Sequence, residues 1–247
     1  MALRVGLAHT EVKIRRAYKH LEELKRAVSE FRKNGYTVVR QDDPGKGVHH
    51  ALIQLKIAPD DLATLPGEFA YSLRSSLDHL VWQLALLTTD TPNPWTSFPI
   101  YGTAPKTKSR YWESLSDIPS TAATIINQFQ PHLRGAAFKD DPLWKLNELC
   151  NIDKHQVVAV SSSVFRVKNV ATTKAKHSEF NHAIKVAVPL AEKENLQIEV
   201  DVSRVIFGAP IDTFNTSSDF EIDVEGLEEI YNFVRDEVIP NFESFFV

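Results

Sequence analysis

Apolar residues recur at helical spacing in two long segments of the N-terminal part. The first begins after Thr10, which can cap a helix, and ends at the left-handed stop Asn34-Gly35. Its apolar positions are Ile14, Ala17, Tyr18, Leu21, Leu24, Val28 and Phe31. The second segment, Glu68 to Ala85, has leucines at i, i+4, i+7 and i+11: Leu73, Leu77, Leu80 and Leu84. Both patterns predict amphipathic helices, the second beginning between Asp60 and Pro66.

A β-hairpin and two further helices are predicted in the rest of this part. Alternating and β-branched residues in Tyr36 to Gln41 and Val48 to Ile57 flank a turn-forming cluster, which indicates a hairpin. A helix is expected from Ser120 to about Phe129, and another after Asp141-Pro142, an N-cap followed by a proline in the first turn. The apolar face of that last helix contains Leu143, Leu146, Leu149, Cys150 and Ile152.

Beyond residue 155 the apolar pattern changes to a period of two residues. Segments rich in valine and isoleucine predict the strands of an antiparallel sheet. They are Gln156 to Val167, Ala183 to Val188, Leu196 to Phe207 and Phe220 to Val224. The stretch from Arg166 to His177 contains the loop between the first two strands, and an acidic helix that Pro240 ends or kinks closes the chain.

These elements predict an α+β fold with a long-helix core, an N-terminal β-hairpin and a C-terminal antiparallel sheet closed by a final helix. The helical part covers about residues 1–155 and the sheet-rich part about 156–247. Because no linker composition separates the two parts, the whole chain is expected to be a single α+β domain with one shared core.

Composition restricts the possible partners and the compartment. A formal net charge of −4 argues against a general polyanion-binding surface, so RNA, if bound, is expected to be held by a local basic patch. The single cysteine, Cys150, excludes an intrachain disulfide and a cysteine zinc cluster, which suits a reducing cytoplasm. No apolar run approaches about 18 residues, and residues 1 to 9 are too short for a signal peptide. We therefore expect a cytoplasmic protein without a membrane partner.

Two polar clusters carry the candidate chemistry. The first consists of Arg74, Asp78 and His79 on the second long helix. Histidine, with an ordinary pKa of roughly 6.5, can move protons at neutral pH, and arginine binds phosphate oxygens. Together these residue types would suffice for RNA cleavage without a metal. The second cluster, Asn151, Asp153 and His155, continues the apolar face of the helix after Pro142, so a buried Asp153 carboxylate would need a partner.

The spacing of Arg74 and His79, Arg-x4-His, resembles the signature of the HEPN superfamily, helical proteins that often act as metal-independent endoribonucleases. The resemblance implies that these two residues line a cleft at a homodimer interface. A wider set of motifs resembles a widespread group of uncharacterised bacterial proteins, which implies kinship and a bacterial or phage origin but no activity. These motifs are Leu73 to Trp82, Phe98-Pro-Ile100, Gln130-Pro131, Pro142 to Leu146 and Asn151 to His155.

Other interpretations of the same residues stay open. Arg74 and Asp78, at i and i+4, can form a helix-surface ion pair, whereas Arg74 and His79 lie roughly 140° apart around the helix. Arg74 or His79 could instead bind Asn151 or Asp153 in a structural polar network between two helices. Such a network would favour a non-catalytic binding or interaction protein. A metal could be bound by a mixed set of nitrogen and oxygen ligands: Glu68, His79, Asp153 and His155. No two of them have the spacing of a metal-binding pair within one helix, so no metal or cofactor is predicted.

Overall fold

The fold is α+β, as predicted, in a computed structural model that describes residues 6–155, 158–168, 176–180, 183–208 and 220–246. The helices are α1 (Ala8–Asn34), α2 (Asp60–Ala85), α3 (Arg110–Ser114), α4 (Ser120–Gln128), α5 (Pro142–His155) and α6 (Val224–Asn232). The strands are β1 (Tyr36–Asp43), β2 (Val48–Leu55), β3 (Ala159–Lys168), β4 (Lys176–Phe180), β5 (Ala183–Pro189), β6 (Glu199–Gly208) and β7 (Glu221–Ile222). Shorter 3₁₀ segments are Pro131–Asp140, Leu190–Asn195 and Ile239–Phe246, and Phe233–Val238 is π-helical.

Helices α1 and α2 pack against each other in antiparallel directions. The Gly6 backbone N–H, just before α1, donates to Gln83 Oε1 near the end of α2 at 2.9 Å. Further along α1, His20 Nδ1 lies 3.1 Å from a Glu68 carboxylate oxygen near the start of α2. The predicted leucine stripe of α2 is fully buried in the core: Leu73, Leu77, Leu80 and Leu84. The start of α1 therefore lies beside the end of α2, and this adjacency builds the candidate site.

The strands form two antiparallel sheets, where the sequence predicted one hairpin and one sheet. The hairpin is confirmed, with Tyr36 opposite Leu55 and Gly47 in the turn at a positive φ of 64°. It belongs, however, to a four-stranded sheet of order β1-β2-β5-β4, while β3, β6 and β7 form the other sheet. The sequence placed the loop between two strands within Arg166 to His177 and did not predict strand β4, which begins at Lys176.

Helical and strand residues meet in one large cluster of buried side chains. Fully buried members come from α1, α2, α5, β6 and α6: Leu21, Leu77, Leu146, Phe207 and Leu227. A smaller cluster under the four-stranded sheet contains Ala51, Ile53, Val186, Val188 and Leu196. Among the described residues, no helix is both long and apolar enough to cross a membrane.

Candidate functional site on helix α2

The outward face of α2 carries an aromatic stripe in its middle and an ionisable side chain on each flank. Tyr71 and Trp82 are 61% and 40% exposed. They differ by roughly 20° around the helix axis at 100° per residue, so both project from the same side. Arg74 lies on one flank of this aromatic stripe and His79 on the other. The two residues that the HEPN-like spacing singles out therefore point to different surroundings.

On one flank, Arg74 and Asp78 form a closed network with the backbone of Phe98. Arg74 Nη1 is hydrogen-bonded to Asp78 Oδ1, and Arg74 Nη2 donates to the Phe98 carbonyl oxygen at 2.7 Å. The Phe98 N–H donates to Asp78 Oδ1 at 2.9 Å. The predicted i, i+4 ion pair is thus present, and it also satisfies both backbone groups of Phe98. This network fixes Phe98, the last residue of the segment 93–98, to α2. Only 19% of the Arg74 side chain is exposed.

On the other flank, His79 faces the start of α1. Its ring stacks with the ring of His9, with 6.4 Å between centroids and 25° between planes. Lys13, one helical turn after His9, places Nζ 5.9 Å from the Tyr71 ring centroid. We call His9, Lys13 and His79 the histidine–lysine cluster. It combines one exposed and one half-buried histidine with a cation.

Electrostatics keep His79 neutral at pH 7. Partial burial lowers its pKa below the ordinary value of 6.5, and Lys13 and His9 lower it further. Asp78 acts in the opposite direction, but its carboxylate is engaged by Arg74 and the Phe98 N–H. A neutral imidazole can accept a proton, so His79 is suited to act as a base.

The second predicted cluster does not meet Arg74 or His79. Asn151, Asp153 and His155 are exposed at the C-terminal end of α5, so the expectation of a buried Asp153 is wrong. Asp153 lies against Gly67 of α2: a Cβ on Gly67 would be 1.9 Å from Asp153 Oδ1. Gly67 precedes His79 by 12 residues, or about 18 Å along a helix. Because Gly67 has no side chain, the Asp153 carboxylate can pack directly against this part of α2.

Replacing Asp153 by asparagine is expected to leave stability unchanged or slightly higher at pH 7. Desolvation against α2 and the nearby Glu68 raise the pKa of Asp153. A raised folded-state pKa means that the folded protein binds the proton more tightly, so the ionised carboxylate opposes folding above that pKa. In urea denaturation we expect the free energy of unfolding to change by no more than about 0.5 kcal/mol at pH 7. The difference from the wild type should vanish in acid, where Asp153 is protonated. A loss of about 3 kcal/mol would instead indicate a buried charge pair.

His9, Lys13 and Tyr71 were not singled out by the sequence. The signal that could have found them is the antiparallel pairing of two long amphipathic helices, which brings the first turns of α1 to the last turns of α2. Glu68, one member of the mixed metal set that the sequence did not favour, lies beside the buried His20 at 3.1 Å. Within the described ranges, no group of three or more His, Cys, Asp or Glu residues could hold a metal ion.

Comparisons of the chain with protein-family models, curated proteins and solved structures found no match.

Proposed function

We propose that the protein binds single-stranded RNA along the outward face of α2. The observation that carries this proposal is the exposed pair Tyr71 and Trp82, flanked by the cation of Lys13 and by His9. Aromatic rings stack with unpaired bases, and neighbouring cations hold the phosphate backbone. Tyr71 and Trp82 are 11 positions apart in the sequence, or about 16 Å along the helix, a span of several nucleotides.

A second group of cations and aromatics supports the same partner. Lys106 and Lys108 are exposed, and the Arg110 guanidinium carbon lies 3.6 Å from the centroid of the Trp95 ring, which is itself 54% exposed. Trp95 belongs to the 93–98 segment that Asp78 fixes to α2. A chain with a net charge of −4 would have to bind RNA through local basic residues of this kind.

Alanine at Tyr71 or Trp82 is expected to weaken binding of a labelled single-stranded RNA by roughly 5- to 150-fold, the equivalent of 1–3 kcal/mol for each stacked base. Fluorescence anisotropy in EDTA measures the affinity, and circular dichroism checks the fold. Tyr18→Ala is the matched control, because Tyr18 is 45% exposed and packs beside Tyr231. Equal affinity of the wild type and both α2 variants would contradict the proposal.

The HEPN-like resemblance predicts a metal-independent endoribonuclease that uses Arg74 and His79 at a homodimer interface. The geometry supports this activity less directly than it supports RNA binding. Arg74 is already bound to Asp78 and to the Phe98 carbonyl. A phosphate would have to displace both partners before Arg74 could bind it. A homodimer is testable by light scattering with size-exclusion chromatography, with and without RNA.

A non-catalytic interaction protein is the second candidate function. The observation that favours it is the Arg74–Asp78–Phe98 network, which occupies two of the predicted functional residues in a structural role. The exposed Tyr71 and Trp82 would then contact a protein partner instead of bases. The anisotropy experiment separates these functions, because this second function requires no affinity for RNA.

A further inference from the structure

The seam between α1 and α2 opens into a groove of about 470 Å³ beside the start of α2. Three carboxylates line it, Glu23 and Glu30 from α1 and Asp61 from α2. Between them lie Ala27 and Leu65, two half-buried side chains that pack against the main apolar cluster. The groove therefore combines an apolar floor with negatively charged walls.

The carboxylates form two pairs, one at each end of the groove. Glu23 and Glu30 are seven positions apart on α1, which is about 10 Å along one side of a helix, and Asp61 and Glu68 have the same spacing on α2. Glu23 and Glu68 meet at one imidazole, since His20 Nδ1 lies 3.8 Å from a Glu23 oxygen and 3.1 Å from a Glu68 oxygen. Because the helices are antiparallel, Glu30 and Asp61 are the pair at the other end.

Neighbouring side chains leave most of this negative charge without a counter-charge. Within the described ranges, neither Glu30 nor Asp61 forms an ion pair. Arg26, the cation that lines the groove, donates its Nε–H to a backbone carbonyl one turn earlier on its own helix, at 3.4 Å. At the opposite end, burial against α2 and then the charge of Glu68 raise the pKa of Asp153, which shows that negative charge is crowded there.

His20 supplies an independent reason to expect a ligand at the end formed by Glu23 and Glu68. Its side chain is only 8% exposed, and its Nε2 accepts a hydrogen bond from Arg16 Nε at 3.0 Å, so the ring proton is on Nδ1. Nδ1 faces the two carboxylates but has no hydrogen-bond partner among the described residues. A buried donor without an acceptor is unfavourable. A cation held between the two carboxylates would fix them over His20 and complete this hydrogen bond.

We propose that the groove binds a linear polyamine, an aliphatic chain with an ammonium group at each end. One terminal ammonium group binds Glu23 and Glu68, and the other binds Glu30 and Asp61. The methylene groups between them pack on the apolar floor. The separation of about 10 Å between the two pairs matches the reach of an extended chain such as spermidine. One metal ion could not bridge pairs that far apart, because its ligands lie within about 2.6 Å.

The test is equilibrium dialysis of labelled spermidine against the full-length protein at low ionic strength, without RNA. Glu23→Gln and Asp61→Asn, one at each end of the groove, are each expected to weaken binding by about 2- to 5-fold, and together by about 4- to 25-fold. Glu11→Gln is the matched control. It removes the same charge from α1 but lies outside the groove, where Glu11 pairs with Arg15, and it should bind like the wild type.

Two competitors of equal charge test the spacing of the carboxylate pairs. Diaminooctane can reach both ends of the groove, whereas diaminobutane can reach only one, so diaminooctane should displace labelled spermidine at several-fold lower concentration. Equal competition by the two diamines would show diffuse attraction of counter-ions and would overturn the site. The same conclusion follows if Mg²⁺ competes as well as diaminooctane.

The remaining outcomes are equally decisive. Weaker binding in both groove variants, with unchanged circular dichroism spectra and a normal Glu11→Gln control, supports the site. No binding to the wild type, or equal loss in Glu11→Gln, overturns it. In NMR spectra, the Nδ1 proton of His20 should exchange more slowly with solvent when spermidine is bound, and an unchanged exchange rate would contradict binding at that end. Because RNA is absent from these assays, their failure leaves the proposed RNA binding standing.

Discussion

Replacing Phe98 by alanine is expected to lower the free energy of unfolding by about 3–5 kcal/mol, the usual cost of removing a buried aromatic ring. The Phe98 side chain is fully buried in the main cluster of apolar residues. Its backbone N–H and C=O are both held by Asp78 and Arg74, so the segment cannot easily collapse into the space that the ring leaves. Incomplete collapse leaves a cavity, which adds to the lost burial of apolar surface.

Urea denaturation followed by far-ultraviolet circular dichroism measures this effect. Trp95→Ala is the matched control, since Trp95 is a larger aromatic residue in the same segment but is 54% exposed and touches Arg110. We expect the control to lose about 0.5–1 kcal/mol, the worth of an exposed cation–π contact. A Phe98→Ala protein as stable as the Trp95→Ala protein would contradict the burial of Phe98.

The helices could be predicted from the sequence because their signal is local. In α2 the leucine stripe repeats over three turns, and the predicted start between Asp60 and Pro66 agrees with the observed start at Asp60. Each of these residues is within four positions of its helical neighbours, so no distant part of the chain decides the pattern. The same holds for the Arg74–Asp78 pair, which follows from i, i+4 spacing alone.

The sheets and the rest of the site could not be predicted in this way. A period of two identifies a strand but does not identify its neighbour, and the paired residues of β2 and β5 lie 129 to 141 positions apart, from Gln54 with Ala183 to Val48 with Pro189. Asp153 has the spacing of a buried residue, yet it is exposed, and its carboxylate lies against Gly67 of another helix. His9 and Lys13 meet His79 only because α1 and α2 are antiparallel. Such properties depend on how elements dock, which local patterns do not record.

The contribution of Arg74 to stability is expected to be the second large effect. Arg74→Ala removes a charged hydrogen bond to the Phe98 carbonyl and one partner of Asp78. Hydrogen bonds to charged groups contribute about 1.5–3 kcal/mol, and the exposure of Asp78 limits the ion pair to a few tenths. We therefore expect a loss of about 2–3 kcal/mol. Arg15→Ala is the control, because Arg15 forms the same kind of helical pair with Glu11 at 3.6 Å but is 64% exposed; we expect it to lose about 0.5 kcal/mol or less.

A double-mutant cycle of Arg74→Ala and Asp78→Ala distinguishes a structural network from two independent surface charges. Because both side chains hold the Phe98 backbone, each single change should remove part of the same support, and the two losses should not add. RNA affinity per folded molecule should be unchanged in Arg74→Ala, since His9, Lys13, Tyr71 and Trp82 remain in place. Additive losses, each as small as that of Arg15→Ala, would show that Arg74 does not fix this segment. A loss of RNA affinity without a loss of stability would instead show that Arg74 contacts RNA.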